Sequence, residues 1–219
     1  MKNILIIHAH PEEKSFCTAL KTTALIHFKN KGCEIKESDL YRMNFNPVGG
    51  KTDFLQLNDT SFFKYQMEQV NAHTHHLFVE EVKTEIEKLQ WCDVLIFNFP
   101  LWWFGLPAIL KGWVDRVFAM GFVYGNGKGV YENGSFKSKI ALLTLTTGGP
   151  EIAYNGGKNG NLETILFPIQ HGMFYFAGMR VLPPFVSYCP ARKTEEERSS
   201  ELNRYLTYLN NINQLKPIY

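Results

Sequence analysis

Asp93-Val94-Leu95-Ile96-Phe97-Asn98-Phe99-Pro100-Leu101-Trp102-Trp103-Phe104-Gly105-Leu106-Pro107 is the stretch on which the fold turns. Its first half is a nearly unbroken apolar run. A strand with one wet face alternates apolar and polar residues, so a continuous run marks a strand covered on both faces. Ile4-Leu5-Ile6-Ile7 and Ile140-Ala141-Leu142-Leu143-Thr144-Leu145-Thr146 repeat the pattern. Between these runs Phe16, Leu20, Ala24 and Phe28 fall on one helical stripe, as do Val79, Val82, Ile86 and Leu89. Pro107 is placed as a first helical residue, and Ile109, Leu110, Trp113, Val114, Val117 and Phe118 then recur at the spacing of a buried helix face. Strands alternating with helices predict right-handed crossovers and a doubly wound α/β domain, a parallel sheet with helices on both faces.

Weaker signals complete the outline. In Cys33–Leu40, Glu34, Lys36 and Ser38 alternate with Ile35 and Glu37, so the stretch reads as an exposed or edge strand. A last strand is expected around Met179–Ser187, bent or at an edge because of Pro183-Pro184. Thr194-Glu195-Glu196-Glu197 is a capping-box pattern that opens a C-terminal helix through Leu202, Leu206 and Leu209. Residues from about 41 to 76 exceed the usual connection length and are read as an insertion. Its aromatics Phe54, Phe62, Phe63 and Tyr65 predict that it packs on the domain.

The 219 residues are expected to form one domain. Lys and Arg number 23 against 21 Asp and Glu, a net charge of +2 that gives no electrostatic case for a nucleic-acid partner. No apolar run approaches the roughly 20 residues of a membrane span, and Ile4–Ile7 is too short for a signal segment. A soluble cytoplasmic protein without membrane insertion is therefore expected. Cys17, Cys33, Cys92 and Cys189 contain no C-x-x-C pair, so neither a zinc knuckle nor a dithiol motif is written here, and reduced thiols are expected.

In an open parallel sheet the ligand crevice lies at the carboxyl ends of the strands. After the first strand comes His8-Ala9-His10-Pro11-Glu12-Glu13-Lys14-Ser15-Phe16-Cys17, a polar loop feeding a helix whose free N–H groups suit an anion. After the central strand comes the aromatic Pro100–Phe104 stretch, and after the next comes Thr146-Thr147-Gly148-Gly149-Pro150. An anion site, a flat apolar surface and bare backbone amides together describe a flavin nucleotide. Rossmann binding of a nicotinamide dinucleotide would need G-x-G-x-x-G after the first strand, and no glycine occurs between Met1 and Lys31. Gly125-Asn126-Gly127-Lys128-Gly129 lacks both that spacing and the Ser/Thr of a Walker loop.

Individual residues carry competing readings. His8 and His10 are spaced like a metal pair on a strand, but no third ligand is placed, and no metal is expected. His10 reads as a cation or donor at the phosphate site. His73, His75 and His76 read as part of a solvated connection. Trp102, Trp103 and Phe104 read as a pocket wall, while Thr146–Gly149 is either a tight turn or a donor loop. Tyr154 and the glycine-rich Asn155–Gly160 form a lid or a surface loop. Cys17 lies near a helix N-terminus, which lowers a thiol pKa, yet it has no partner base and is read as structural.

Four motifs in register carry a resemblance. Ala9-His10-Pro11-Glu12 with Ser15-Phe16, Phe99 through Trp113, Thr146-Thr147-Gly148-Gly149, and Ile165-Leu166-Phe167-Pro168-Ile169-Gln170 strongly resemble the NAD(P)H:quinone oxidoreductase (DT-diaphorase-like) family. The match runs in order from the first strand to at least Pro184 and is weak only in the insertion and the tail. The resemblance implies a flavodoxin-like fold with a five-stranded parallel sheet in the order 2-1-3-4-5, the insertion after strand 2 and a C-terminal extension from about 179 to 219. It implies a homodimer, non-covalent FAD rather than FMN, NAD(P)H as electron donor, and a quinone or similar flat acceptor reduced by two electrons in ping-pong fashion.

Residue by residue, the resemblance gives His10, Phe16 and Cys17 to the FAD pyrophosphate region and Pro100, Leu101, Trp102, Trp103 and Phe104 to the isoalloxazine. Thr146, Thr147, Gly148 and Gly149 would donate to its polar edge, with Gly149 and Tyr154 as catalytic positions. Arg198 would reach the adenine end. Trp103, Phe104, Tyr124, Asn126 and Met179 would form the substrate wall, completed by the partner subunit. Asn159 stands where mammalian members carry a histidine, and either Lys64 or Gln66 answers a family glutamine near the cofactor. The rival readings are a flavoprotein regulatory subunit of a potassium efflux system and a flavodoxin-like FMN electron carrier.

Overall fold

The computed structural model describes residues 3–219. In chain order it contains β1 (Asn3–His8), α1 (Phe16–Asn30), β2 (Glu34–Asp39), α2 (Tyr65–His75), α3 (Glu80–Trp91), β3 (Val94–Pro100) and α4 (Ala108–Val117). There follow β4 (Ile140–Thr147), the short hairpin β5 (Asn155–Gly157) and β6 (Gly160–Asn161), α5 (Leu162–Ile169), β7 (Arg180–Val181), β8 (Phe185–Tyr188) and α6 (Glu195–Asn210). The sheet runs β2-β1-β3-β4, all parallel, and both β7 and β8 pair with the far side of β4. The flavodoxin-like order 2-1-3-4-5 is thus present, with its fifth position divided. Pro183 and Pro184, which have no N–H to give the ladder, fall in the gap between β7 and β8.

Alternation along each strand sorts the core into two layers. Leu5, Ile7, Leu95, Phe97, Leu143 and Leu145 point to one face, under α3, α4 and the α5 segment, where Val82, Leu110, Trp113 and Phe174 meet them. Ile4, Ile6, Val94, Ile96 and Leu142 point to the other, under α1 and α6, where Leu20, Ala24, Tyr205 and Leu209 close the layer. Ser15 caps α1 by accepting from Thr18 N at 3.1 Å. Thr194 and Glu197 form the expected reciprocal capping box of α6. Pro107 is one residue earlier in role than expected: its ψ of 143° makes it the cap, and α4 starts at Ala108.

Two elements lie outside the sequence reading. The helix α5 passes directly into a π-helical turn, Gln170–Tyr175. Pro168 sits inside α5 and removes one i to i−4 hydrogen bond just ahead of the wider turn. The glycine-rich Asn155–Asn161 stretch is the β5–β6 hairpin.

The insertion packs, as its aromatics predict. Phe54, Phe63 and Tyr65 form a mutual cluster with ring centroids 5.7–6.2 Å apart. Its anchor is electrostatic: Asp53, 1% exposed, pairs at 2.9 Å with Arg116 of α4, itself 2% exposed, and accepts from the Tyr65 hydroxyl. Arg116 also donates to the Asn46 carbonyl at 2.6 Å and pairs with Glu81. A Cβ on Gly112 would stand 2.1 Å from the Pro47 carbonyl oxygen, so glycine at this position lets α4 and the insertion touch backbone to backbone. The histidine cluster ends α2 instead of forming a connection, with His75 and His76 exposed to solvent as expected and His73 half-buried. His73 packs on Phe122 at 5.6 Å, and His76 caps the helix in left-handed conformation. Among the described residues no group of three or more His, Cys, Asp or Glu is arranged to hold a metal ion. Nor is any helix among them long and apolar enough to cross a membrane.

Removing Asp53 takes from the buried Arg116 guanidinium its one fully buried ion-pair partner and leaves it only the half-exposed Glu81. Asp53→Ala is expected to cost about 3 kcal/mol or more in urea unfolding, and the Asp53→Ala/Arg116→Met double variant to recover part of that loss. Equal stability of Asp53→Ala and the parent would show that the pair anchors nothing.

Candidate functional site

The carboxyl ends of the inner strands finish level. His8 is in register with Asn98, Asn98 with Thr144, and Thr144 with Phe185, so one row crosses the sheet with three polar residues in otherwise apolar strands. All three are buried. His8 Nδ1 and Asn98 Oδ1 are 2.6 Å apart, His8 Nε2 meets the Thr18 hydroxyl at 3.2 Å, and Thr144 bonds the Tyr205 hydroxyl at 2.9 Å. Burial is the main cause holding the His8 imidazole below its ordinary pKa, with Lys21 adding to it, so the ring is neutral. One step further on, Ala9 N donates to Asn98 O, Leu101 N to Thr146 O and Cys189 N to Thr147 O. The loops therefore leave the sheet side by side.

Above this row lies a cleft of about 880 Å³. Of the residues expected to hold the cofactor, His10, Phe16, Cys17, Pro100, Leu101, Trp102, Trp103, Thr146, Thr147, Gly148 and Arg198 all line it. Lys14, Ser15, Pro190 and Ala191 line it too and were not anticipated. Ser15 was readable as a helix cap; Pro190-Ala191 carries no local signal and arrives only because β8 ends beside β4.

Burial selects among the alternatives that the sequence leaves for the site's electrostatics. His10 is expected as a cation or donor; its Nδ1 accepts from Glu12 N at 3.0 Å, and burial lowers its pKa. A neutral ring that accepts at Nδ1 carries its proton on Nε2, so His10 offers a donor, not a charge. Cys17 keeps its structural reading. Although it sits in the first turn of α1, it is 2% exposed, and burial drives its thiol far above the usual range, overriding the helix terminus. Its Sγ lies 3.5 Å from Asn98 Oδ1.

The aromatic stretch is a projecting shelf and not packed core. Trp103 is 94% exposed, and Trp103 and Phe104 both have positive φ, 48° and 60°. Phe104 does not line the cleft. Gly149 and Tyr154 stand just beyond it, with Tyr154 buried. A Cβ on Gly149 would come within 3.1 Å of the Tyr154 ring, 3.4 Å of its hydroxyl and 3.2 Å of Asn159 Nδ2. Thr147 Oγ1 donates to Gly149 O at 2.8 Å and fixes the loop. Gly148, in contrast, has no atom within 4 Å of the place a Cβ would take, leaving its backbone open to a ligand.

The residues expected in the substrate wall separate. Tyr124 lines a second cavity of about 460 Å³ with Gln66, Phe118, Met173 and Phe176, and accepts from Gln66 Nε2 at 2.9 Å. Lys64 lies outside that cavity, over the Phe62 ring. Asn126 is an exposed turn residue with φ of 49°. Met179 is 1% exposed in the core and reaches neither cavity, because the Gly134–Gly178 backbone approach draws its segment inward.

Comparison with known proteins agrees with this geometry. A family model described as flavodoxin-like fold matches residues 2–209. The chain is 39% identical over its whole length to ribosyldihydronicotinamide dehydrogenase (quinone) of Rattus norvegicus, covering 95% of that protein. It is also 39% identical over its whole length to NAD(P)H dehydrogenase (quinone) 1 of Cavia porcellus, covering 80% of it. The solved structure of a Klebsiella pneumoniae protein named as a candidate quinone reductase superposes with a TM-score of 0.95 at 37% identity, over 100% of this chain and 87% of that one. The chain belongs to the NAD(P)H:quinone oxidoreductase family, built on the flavodoxin-like fold.

Within this quinone oxidoreductase family member the buried His8 has a consequence for stability. Its folded pKa is depressed, so the unfolded chain takes up a proton near the ordinary value of about 6.5 while the folded chain does not. The stabilising contribution is present above that value and is lost as pH falls below it. In urea unfolding from pH 7.5 down to 5, His8→Gln is expected to lose stability less steeply than the parent. Parallel pH curves for the two proteins would place the imidazole elsewhere.

Proposed function

We propose that the protein is an FAD-dependent NAD(P)H:quinone oxidoreductase that reduces quinones or related flat acceptors by two electrons. The observation that carries the reading is the single cleft in which the three loops meet: the α1 N-terminus with His10, the open Gly148 backbone and the Trp102–Trp103 shelf. These residues fit a flavin nucleotide. Bound flavin supplies the chemistry of accepting a hydride from reduced nicotinamide and passing two electrons to a quinone.

The chain's own groups have separable tasks. The free N–H groups of the α1 N-terminus and His10 Nε2 suit the pyrophosphate, with no buried cation required. Thr147 holds the loop in which Gly148 and Gly149 present backbone amides to the ring's polar edge, where donors gain strength as negative charge develops. Tyr154 and Asn159 stand together beside Gly149. Asn159 cannot take up a proton near neutral pH, so this pair acts by hydrogen bonding. Trp102, Trp103 and Phe104 provide the flat surface on which donor and acceptor stack in turn. Arg198 with Pro190 and Ala191 extends the cleft past the phosphate site, room that supports FAD over FMN.

The reading includes a homodimer. A second copy whose Tyr124 cavity faces the Trp102–Phe104 shelf would cover both apolar surfaces and complete the substrate wall. A cytoplasmic setting, where pyridine nucleotides are available and scattered thiols stay reduced, goes with it.

Three outcomes test the proposal. Arg198→Ala should weaken FAD binding about tenfold (~1.4 kcal/mol) and leave FMN binding unchanged in fluorescence titrations; equal losses would remove the adenine role. Tyr154→Phe should slow reduction of bound flavin about tenfold in anaerobic stopped flow with little change in FAD affinity; parallel losses would make the tyrosine a binding residue only. Anaerobic titration with NADH, NADPH and dihydronicotinamide riboside, each followed by menadione, should bleach the protein and restore it by two electrons. A colourless protein that takes up neither FAD nor FMN would end the reading.

A further inference from the structure

The loop that follows β4 has its carbonyls and its amides sorted to opposite sides. The carbonyls of Thr147, Gly148 and Gly149 each accept a hydrogen bond from within the chain: from Cys189 N at 2.9 Å, from Cys189 Sγ at 3.3 Å and from Thr147 Oγ1 at 2.8 Å. The amides of Gly148 and Gly149 have no partner among the described residues. In a trans peptide the C=O and the N–H of the next residue point in opposite directions. Carbonyls held toward Cys189 therefore turn the Gly148 and Gly149 N–H groups away from it. Cys189 lines a cavity behind the loop that shares no residue with the cleft above the sheet row, whereas Gly148 lines that cleft. The free amides thus face the cleft, and Cys189 stays outside it.

Cys189 holds this place with a strained backbone. Its φ of 49° and ψ of 41° are left-handed, a conformation that burdens any residue with a Cβ and persists only where the surroundings over-determine it. We propose that Cys189 is a positioning residue for the flavin chemistry: through its amide and its thiol it fixes the two peptide planes that aim the Gly148 and Gly149 N–H groups at the polar edge of the ring. The role rests on the reading of the cleft as a flavin site. A thiol is a weak donor, so what it contributes is orientation. The amides it orients act most strongly on the reduced ring, where negative charge has developed, and correct aim therefore favours reduced over oxidised flavin. The bond from Cys189 N survives any side-chain substitution, so the Gly148 amide keeps its aim when the thiol is removed. The Gly149 amide does not: the peptide before it is then free to rotate, because Gly148 has no side chain and open space around its Cα.

The test measures the two-electron midpoint potential of FAD bound to the full-length protein, with oxidised-FAD affinity and urea stability taken alongside. Cys189→Ala should lower the preference for reduced over oxidised flavin about tenfold, a potential about 30 mV more negative. Oxidised FAD, whose edge carries no such charge, should bind within about twofold of the parent. Cys189→Ser, whose hydroxyl can donate to the same carbonyl, should hold the parent potential. Cys189→Gly removes the thiol but suits the left-handed backbone, so it should be at least as stable as the parent and still fall to the potential of Cys189→Ala. It decides the matter should Cys189→Ala fold poorly. A purely structural role would move stability and leave the potential in place. Parent-like potentials in both Cys189→Ala and Cys189→Gly, or a potential for Cys189→Ser as low as theirs, would overturn the proposal. A parent that binds flavin while these shifts are absent leaves the oxidoreductase reading standing, whereas a parent that takes up no flavin ends both.

Discussion

The architecture depends on one constraint: polar side chains at the carboxyl ends of three buried strands must find partners inside the protein, His8 with Asn98 and Thr144 with Tyr205, because water cannot reach them. His8, Asn98 and Thr144 occupy one register row, and the short His8–Asn98 contact ties the outgoing ends of β1 and β3. A buried imidazole nitrogen or carboxamide oxygen left unpaired in that layer would oppose folding by the cost of its desolvation, as the Asn98 Nδ2 group, which has no partner among the described residues, already does. A slip of one residue in either strand would send these groups to different heights and expose apolar side chains on the wrong face. The His8–Asn98 contact thus favours this register between β1 and β3, and the register brings the His10, Pro100 and Thr146 loops to one cleft.

The same burial decides the charge state of the site. A helix N-terminus draws a thiol toward its anion and a strand-end histidine invites a phosphate-bound cation, yet desolvation outweighs both here. What remains is a binding surface made of neutral donors, backbone amides and aromatic faces, with charge held at its rim by Lys14 and Arg198. Such a surface suits a ligand whose own charge changes during turnover, since fixed dipoles need not be neutralised by protonation between steps.

Most of the fold was legible because its signals were long and periodic. Continuous apolar runs gave β1, β3 and β4, and the helical stripes gave α1, α3 and α4 within a residue or two. The charged alternation of 33–40 gave the β2 edge, and Pro183-Pro184 announced the broken fifth position. The α5 to π-helix segment was missed because Pro168 and Gly172 punctuate it as a loop. At the site, strand-end reasoning located the cleft and the resemblance supplied most of its wall. Neither foresaw Pro190-Ala191, which a distant strand brings in, nor the retreat of Met179 into the core. His8, Asn98 and Thr144 were readable as polar interruptions of apolar runs, but the His8–Asn98 pairing and the Thr144–Tyr205 bond need the register and the packing of α6, which no single strand encodes.

Both margins of the sheet are guarded against extension. On one side β2 presents Glu34, Lys36 and Glu37; on the other, the proline pair interrupts the ladder while Val181 exchanges backbone hydrogen bonds with Ile218 and Tyr219. Charged side chains at the β2 rim and the proline break at the other therefore discourage a neighbouring polypeptide from adding a strand, and with it cross-β growth. Any self-association must proceed through helices and loops, the very surfaces where exposed tryptophan and a concave aromatic lining occur.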